Sequence, residues 1–303
     1  MIIVFGSINI DLVARVSSIP RPGETVLSPG YETLFGGKGA NQAIAAARAS
    51  LPHRVAMAAC VGGDAFGRSA RDNLVRNDVV ADLVVDSAEP TGCAFITVDE
   101  RGENAITVAS GANASLSEAT LRGFEANAAT VAVFQMEVPF SASLNVARQV
   151  RAAGGRVIWN FAPAPTAFST RDLSDLVDET DIFVVNEHEA ITAAKLLGCE
   201  TDRFEDAGAY LSGSGCTCVV TAGAQGAFAF HSDGRSEIVE APPIRPVDTT
   251  GAGDTFVGIL ASGLDEALSF TKALQRACYG ASLACLAYGA QTGMPTRAQL
   301  GVI

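Results

Sequence analysis

One short turn organises the rest of this chain: residues 248–256 read DTTGAGDTF, and an apolar run follows directly at residues 256–261. The run predicts a helix, so the glycine-bearing turn would lie at a helix N-terminus. Such a terminus presents backbone N–H groups and the positive end of the helix dipole, which together bind anions such as phosphate. Asp254 has two interpretations here: it caps the helix, or it serves as a base beside a bound phosphate.

Composition limits the class of protein. The 303 residues are 48% hydrophobic and 18% charged, which is ordinary for a globular protein long enough to bury a large core. The net charge is −12, so nucleic-acid backbones and anionic membranes are poor partners for this chain. Any phosphate that it binds must therefore be held by local dipoles, local cations or a metal ion.

The cysteines and histidines argue against a disulfide framework and against a histidine-based metal site. Seven cysteines are scattered without framework spacing, which favours reduced, buried thiols. The three histidines lie far apart and form no ligand motif. Residues 1–6 lack the basic segment and the apolar length of a signal peptide, and the sequence has no uncharged 18-residue apolar span. We therefore expect a cytoplasmic protein.

Apolar strand-like runs alternate with helical stretches along the chain, beginning with a strand at residues 2–5. This alternation predicts an α/β fold with a mostly parallel sheet and helices on both of its faces. Further strands are predicted at residues 55–61, 131–134, 156–161, 181–185 and 216–221, with helices at residues 144–153 and 187–197.

Two segments, residues 12–35 and 92–108, depart from this alternation. Proline and glycine separate short β-prone pieces in the first, at residues 12–16 and 25–34. The second alternates, turns at residues 99–102 and returns. Both segments predict small antiparallel excursions from the main sheet, and the two could pair into a flap over a site.

Polar side chains follow the predicted strands. Asn9 and Asp11 come after the first strand and are two residues apart, so in extended chain they face the same way. Open α/β sheets bind ligands at this edge. Further polar groups expected along the same edge lie at residues 135–137, 160, 186–189 and 221–223.

A second glycine-rich stretch, FGGKGANQA at residues 35–43, starts a predicted helix and indicates close backbone approach by a ligand. It is not a Walker A loop, because Gly39 follows Lys38 where that motif requires serine or threonine. The turn at residues 248–256 is not a dinucleotide fingerprint either, because Phe256 stands where the third glycine is needed.

Together these stretches resemble the ribokinase (PfkB) family of carbohydrate kinases over nearly the whole chain. The most specific phrases are GGKGANQA at residues 36–43 and the turn at residues 248–256. The resemblance implies one kinase domain over residues 1–303, built as a three-layer α/β/α sandwich. Its mostly parallel central sheet would carry a small β-sheet lid formed by residues 12–35 and 92–108. Other matching phrases are GSIN at residues 6–9 with Asp11, PGET at 22–25, GAN at 111–113, Asn160 with APA at 162–164, and Asn186-Glu187 with Glu189.

The resemblance implies an ATP-dependent sugar kinase that transfers the γ-phosphate of ATP to the 5-hydroxyl of D-ribose. Asp254 matches the catalytic base, and the backbone N–H groups of residues 252–254 match an anion hole, which suits a reaction that depends on charge stabilisation. The implied catalytic positions are Gly251, Ala252, Gly253 and Asp254. The implied substrate-binding positions are Asn9, Asp11, Gly37, Lys38, Asn41, Glu137 and Asp254. The implied ATP-binding positions are Asn186, Thr221, Gly223, Gly226 and Gly253.

The resemblance also implies two cations and a homodimer. Glu189, with Asn186, matches the element that organises Mg²⁺ indirectly beside the ATP phosphates. A monovalent cation, usually K⁺ in this family, would be held mostly by main-chain carbonyl groups, and the homodimer would form through the lid. The implied K⁺ positions are Asp248, Thr250, Ala284, Ala287, Gly289 and Gly293.

The chain departs from the family pattern at Phe161, which replaces the proline of an Asn-Pro-Ala-Pro phrase, and in a short tail that ends at Ile303. Three alternative activities remain within the family: a deoxyribokinase, a fructokinase-like enzyme and a nucleoside kinase. An alternative from another class is a non-catalytic sugar or nucleotide sensor. The intact Asp254 and its neighbouring glycines argue against the sensor, because a sensor would be free to lose the base.

Overall fold

A computed structural model describes residues 1–301, so the tail expected at Ile303 lies outside the described residues. The strands are β1 Ile2–Phe5, β2 Asn9–Arg15, β3 Tyr31–Gly36, β4 Val55–Gly62, β5 Val79–Ser87, β6 Gly92–Val98, β7 Asn104–Ala109, β8 Val131–Phe134, β9 Arg156–Asn160, β10 Ile182–Asn186, β11 Thr217–Thr221, β12 Ala227–Phe230 and β13 Ser236–Val239. The helices are α1 Lys38–Ala49, α2 Ala65–Arg76, α3 Phe140–Ala152, α4 Thr170–Asp178, α5 Glu187–Leu196, α6 Phe204–Ser212, α7 Ala252–Asp265, α8 Phe270–Ala284 and α9 Arg297–Leu300.

The central sheet has nine strands in the order β13-β12-β11-β10-β9-β8-β1-β4-β5 within the described part of the chain. Neighbouring strands from β11 to β5 are parallel, and β12 and β13 continue the sheet in antiparallel pairing. Strand β1, with the sequence IIVF, is buried along its whole length, as expected for a parallel strand covered on both faces. The predicted mostly parallel sheet is confirmed.

Two hydrophobic cores lie on opposite faces of this sheet. In β1, Ile2 and Val4 belong to one core, and Ile3 and Phe5 belong to the other, because successive side chains of a strand point to opposite faces. Residues of α1, α7 and α8 complete the first core, and residues of α3, α4, α5 and α6 complete the second. The molecule is therefore a three-layer α/β/α sandwich.

A second, four-stranded sheet has the order β3-β2-β6-β7 and contains the two excursions; we call it the lid sheet, or lid. Strands β2–β3 and β6–β7 pair antiparallel as predicted, whereas β2 and β6 join the two excursions in parallel. Strand β2 begins at Asn9, so Asn9 and Asp11 lie just beyond the end of β1, as predicted, and in the extended chain of a lid strand. The β-prone piece at residues 25–34 is shifted: the strand starts at Tyr31, and residues 16–30 contain no strand. Prolines in that segment lack the N–H group that a strand ladder needs.

Buried aromatic and thiol groups fill the second core. Phe161 is 2% exposed and lies with its ring centroid 5.6 Å from that of Phe183, so the departure at this position adds a core aromatic. All seven cysteines are free thiols, and burial raises the pKa of Cys216 to about 12.

In residues 1–301, none of the helices combines the length and the apolarity that crossing a membrane requires.

Candidate active site

The turn before α7 depends on a glycine. Gly251 has φ 74°, in the left-handed region that residues with a Cβ rarely adopt. A Cβ at this position would also lie 2.7 Å from the carbonyl oxygen of Ala290. The turn is therefore held in its conformation both by backbone geometry and by close packing against the loop that follows α8.

Asp254 lies in the first turn of α7, and its side chain points towards α1. Asn41 Nδ2 donates a 2.9 Å hydrogen bond to Asp254 Oδ2, and Gln42 Nε2 donates a 3.0 Å bond to Asp254 Oδ1. The residue is only 6% exposed. Since a carboxylate only accepts, two amide donors at this site suit the ionised form that a base requires. Asp254 is not the helix cap, because Gly251 is the N-cap residue of α7 and that cap has no side-chain hydrogen bond.

Helices α1 and α7 approach closely enough to make these bonds because of a glycine at their contact. A Cβ on Gly258 of α7 would lie 2.4 Å from the carbonyl oxygen of Gln42 and 2.7 Å from the Cβ of Ala45. Any larger side chain would push the helices apart. This contact brings two segments that are more than 200 residues apart in sequence to a single site.

Two backbone N–H groups at the start of α7 are available to an anion. Ala252 N donates to the carbonyl oxygen of Thr249 at 3.2 Å, so that group of the implied anion hole is already used. Within residues 1–301, the N–H groups of Gly253 and Asp254 have no hydrogen-bond partner. A Cβ on Gly253 would meet no atom within 4 Å, so open space faces this residue.

Lys38 lies among three carboxylates at the start of α1. Its pKa is raised chiefly by the negative charge of Asp254, and further by Glu137 and Glu189, against the opposing effect of burial. An ammonium held in this way remains protonated and supplies a local positive charge. Because the net charge of the chain is negative, a phosphate needs a local cation, and the Lys38 ammonium is one.

The implied sugar-binding residues come from the lid, α1 and the end of β8. Burial raises the pKa of Asp11 to about 6, with further contributions from the negative charges of Glu137 and Asp254. Glu137 Oε2 accepts a 3.0 Å bond from the backbone N–H of Lys38, and it also accepts a bond from the Ser7 hydroxyl. The negative charges of Asp11, Glu137 and Asp254 are therefore near enough to interact.

Asn9 is held by a residue from outside the implied set. Asn113 Nδ2 donates to Asn9 Oδ1 at 2.8 Å and to the carbonyl oxygen of Ile8 at 3.0 Å, while Asn113 Oδ1 accepts from Ile8 N at 2.9 Å. Gly37, with φ 89°, lies against the same strand, since a Cβ there would be 2.6 Å from Asn9 N. Asn113 and Gly37 thus both contact the start of β2, and these contacts orient Asn9.

Of the five implied ATP-binding residues, Gly253 lies at the start of α7, and the other four lie at or just after the carboxyl ends of β10 and β11. Asn186 and Glu189 form a capping box at the start of α5: each backbone N–H donates to the other's side chain at 2.8 Å. Burial raises the pKa of Glu189, and the hydrogen bond from Asn186 opposes this rise. Thr221 ends β11, and Gly223 and Gly226 follow with φ 51° and 94°.

The six implied K⁺ positions come together where the loop after α8 meets the turn before α7. Asp248 Oδ1 accepts from Thr250 N at 2.9 Å, and Asp248 Oδ2 accepts from Gly289 N at 2.9 Å. These hydrogen bonds outweigh burial, and the pKa of Asp248 is lowered. The carbonyl oxygen of Ala284 would lie 2.2 Å from a Cβ on Gly293, so only glycine allows these two segments to approach this closely. A carboxylate and main-chain carbonyls are the oxygen donors that K⁺ accepts.

Sequence reasoning missed a group of buried amide side chains behind Asp254. Gln42 Nε2 also donates to Asn160 Oδ1 at 3.0 Å, and Gln42 Oε1 accepts from Gln135 Nε2 at 2.7 Å. Gln291 Nε2 donates to Asn41 Oδ1 at 2.9 Å. Gln42, Gln135 and Asn160 stand within stretches that the sequence marked as polar, but Gln291 carried no local signal.

The chain is similar to known proteins over its whole length. The pfkB family carbohydrate kinase model matches residues 1–297. A ribokinase of Haemophilus influenzae is 35% identical over 308 residues, covering 97% of this chain and 95% of that protein. The solved structure of a ribokinase from Thermotoga maritima has a TM-score of 0.89 at 28% identity, with 99% of this chain and 97% of that one covered. That of Arabidopsis thaliana ribokinase complexed with ribose and ATP has a TM-score of 0.86 at 29% identity, with coverages of 99% and 96%.

Proposed function

Because the chain belongs to the pfkB family of carbohydrate kinases, we propose that it transfers the γ-phosphate of ATP to the 5-hydroxyl of D-ribose. The products are ADP and D-ribose 5-phosphate. One observation carries the chemistry: among residues 1–301, the buried carboxylate of Asp254 lies at the same helix start as two N–H groups without a hydrogen-bond partner, and its charge acts on Lys38. A base, an anion site and a cation thus share one corner of the cleft.

In this proposal Asp254 is the general base. It accepts the proton of the sugar hydroxyl as the hydroxyl oxygen attacks the γ-phosphorus, and the bond to the bridging oxygen of ADP breaks. Asn41 and Gln42 hold both carboxylate oxygens, so the base is oriented before substrate arrives. Positioning of this kind is the main contribution that a protein makes to phosphoryl transfer.

The developing charge on the transferred phosphate is stabilised at the turn. The N–H groups of Gly253 and Asp254 point from the positive end of α7, and Gly251 fixes their direction. The N–H of Ala252 joins them only if its bond to Thr249 opens. Lys38 adds a positive charge that interacts with the charges of Asp254, Glu137 and Glu189, so in this proposal it assists both substrates.

The sugar is bound by the polar groups that meet under the lid. Asp11 and Glu137 accept from sugar hydroxyls as carboxylates, and Asn9 and Asn41 supply amide groups. Gly37 lets the α1 backbone lie against β2, which keeps these groups within reach of one small polyol. The relatives that are named ribokinase support ribose as this polyol.

Two cations complete the proposal. Mg²⁺, bound to the ATP phosphates, keeps several waters and needs few carboxylates. Glu189 fits this role, because only its Oε2 is used in the capping box. The nucleotide lies against Asn186, Thr221, Gly223 and Gly226. Asp248 and the main-chain carbonyls of Thr250, Ala284, Ala287, Gly289 and Gly293 would hold a K⁺ ion, which would add positive charge near the anion site.

The lid supports the further proposal of a homodimer. All six residues of β7 are exposed, with Ile106 at 54% and Val108 at 49%, and β7 is an edge strand of the lid sheet. An exposed apolar edge strand is a surface that pairs with another chain. A second copy of the same lid would cover it. The free, largely buried thiols support the proposal that the protein works in the cytoplasm.

An ADP-release assay across ribose, deoxyribose, fructose and adenosine tests the function. We expect the highest kcat/KM with ribose, and we expect activity to fall when K⁺ is replaced by a large organic cation. A preference for another acceptor would favour one of the alternative kinases. Sugar binding without ADP release from any acceptor would favour the sensor.

A further inference from the structure

A line of hydrogen-bonded side chains runs from Arg48 to Asp254 behind the cleft. Arg48 Nε donates to Asn77 Oδ1 at 2.9 Å, and Asn77 Nδ2 donates to Asn73 Oδ1 at 3.3 Å. Asn73 Nδ2 donates to Gln291 Oε1 at 2.8 Å. The line then continues from Gln291 through Asn41 to Asp254, with two bonds of 2.9 Å.

Arg48 and Asp254, at the two ends of this line, determine which group donates and which accepts in every hydrogen bond between them. A guanidinium only donates, and a carboxylate only accepts, whereas each amide between them can do either. Every amide oxygen therefore faces Arg48, and every amide NH₂ group faces Asp254. Reversing one amide would set donor against donor or acceptor against acceptor, which is costly among buried groups.

We propose that Gln291 is a positioning residue that sets the orientation of the Asn41 carboxamide. By donating to Asn41 Oδ1, it forces the Asn41 NH₂ group towards Asp254. This inference rests on the proposed function in one respect: it takes Asp254 as the base and Asn41 as a sugar-binding group. Gln291 acts only through Asn41 and touches neither the sugar nor ATP.

The loop that carries Gln291 makes two further contacts near the site. Gln291 lies in the loop between α8 and α9, and its backbone oxygen accepts a 2.6 Å bond from Arg48 Nη1. The preceding residue, Ala290, contacts Gly251 in the turn before α7. One rigid segment therefore fixes both the anion-binding turn and the amide that faces the base.

The second donor to Asp254 serves as an internal control. Gln42 is oriented by Gln135 and Asn160, and the side-chain hydrogen bonds of Gln291 within the described residues go to Asn73 and Asn41 instead. Loss of Gln291 should therefore release Asn41 and leave Gln42 in place. A general loosening of the core would release both amides together.

The first test needs no substrate. In the free protein, NMR detects the side-chain NH₂ protons of Asn41 and Gln42, identified by their loss in Asn41→Ala and Gln42→Ala. We expect Gln291→Met to speed solvent exchange of the Asn41 protons at least about 10-fold, since one buried hydrogen bond is lost, and to leave Gln42 unchanged. Unchanged exchange at Asn41, or equal acceleration at both residues, overturns the proposal.

The second test uses turnover and a double-mutant cycle. Gln291→Met should lower kcat/KM for the sugar about 5- to 20-fold in the wild-type background and have no effect in the Asn41→Ala background. Equal losses in the two backgrounds would show that Gln291 does not act through Asn41. Ser262→Ala is the matched control: it removes a buried 2.9 Å bond to Ser50 on the same helix pair and should leave kcat/KM unchanged.

If Gln291→Met does not fold, Gln291→Glu carries both tests. Glutamate has nearly the same size and can still accept from Asn73, but as a carboxylate it cannot donate to Asn41. The new carboxylate attracts the Asn41 NH₂ group away from Asp254, so we expect changed chemical shifts and exchange rates for the Asn41 NH₂ protons and unchanged values for Gln42. Unchanged values at Asn41 overturn the proposal. An absence of sugar turnover in the wild-type protein would refute the proposed function, while the NMR comparison would still decide the role of Gln291.

Discussion

Asn41 Nδ2 lies 2.9 Å from Asp254 Oδ2, although 213 residues separate them in sequence. The bond joins the first turn of α1 to the first turn of α7, and it links a proposed sugar-binding amide to the proposed base. Since Lys38 starts the same α1 turn, the positions of the sugar, the base and the phosphate are set by two helix ends.

Asp254→Asn should retain the fold with a lowered Tm, because its NH₂ group faces one of the two amide donors, and it should lose roughly 10²–10⁴-fold in kcat, the usual contribution of a general base, while still binding sugar. An amide cannot accept the hydroxyl proton. Steady-state ADP release, calorimetric ribose binding and thermal unfolding check the three parts. Asp233→Asn, at an exposed turn where Asp233 pairs with Arg235, is the control and should leave kcat unchanged. Turnover of Asp254→Asn near the wild-type rate would remove Asp254 from the role of base.

Asp11 should make both stability and sugar binding depend on pH. Its pKa rises from 3.8 to about 6 on folding, chiefly through burial, so the folded protein holds a proton that the unfolded chain has released. The stability from this group is fully present below pH 3.8 and is lost as the pH rises through about 6. Asp11→Asn should therefore raise the Tm at pH 7.5 by roughly 2–4 °C and by less at pH 4.5.

The titration of Asp11 should also affect sugar binding. Below a pH of about 6, Asp11 is protonated and accepts fewer hydrogen bonds, so the wild-type KM for ribose should rise as the pH falls. This rise should be absent in Asp11→Asn, whose KM is high throughout. A wild-type KM that stays constant from pH 5 to 8 would contradict the prediction.

Two glycines of the same turn should respond differently to alanine. Gly251→Ala forces a Cβ into a left-handed conformation and against Ala290, so it should destabilise the fold by at least about 1 kcal/mol. Gly253→Ala has open space around its Cβ and should keep the wild-type Tm. It should still lose roughly 10²-fold in kcat, because the methyl group occupies the proposed anion site. Unchanged kcat in Gly253→Ala would argue against an anion site there.

Glu189→Gln should separate structure from metal binding. Glutamine also completes a capping box, so the Tm should stay unchanged. The loss of a charge beside the proposed Mg²⁺ water should raise the Mg²⁺ concentration for half-maximal rate about 10- to 100-fold. The rate as a function of free Mg²⁺ at fixed ATP is the measurement. An unchanged Mg²⁺ requirement would leave Glu189 a purely structural residue.

Val108→Lys should convert the proposed lid-paired dimer into a monomer, because it buries a charge in the apolar edge strand. Sedimentation velocity over a range of concentrations is the measurement. The control is Val75→Lys on α2, where Val75 is 63% exposed and lies outside the lid. A monomeric wild-type protein would refute the dimer.

Local sequence determined most of the layered fold. Fully apolar runs such as residues 131–134 fix buried strands at the predicted positions, since only burial on both faces suits them. The starts of α1 and α7 were predicted from residues 36–43 and 248–256. Each stretch combines glycines with a charged residue directly before an apolar or alanine-rich run, and this signal is local in sequence. The lid strands were less predictable, because β2 and β6 pair across more than 80 residues.

Tertiary structure alone decided which of these groups meet. The sequence identified Asn41 and Asp254 separately, but only the packing of α1 on α7 at Gly258 brings them within hydrogen-bonding distance. The sequence could not show that the N–H of Ala252 donates to the carbonyl oxygen of Thr249, nor that Gln291 donates to Asn41. The physical reason is that hydrogen-bond direction in a buried network depends on every partner at once, and those partners come from distant parts of the chain.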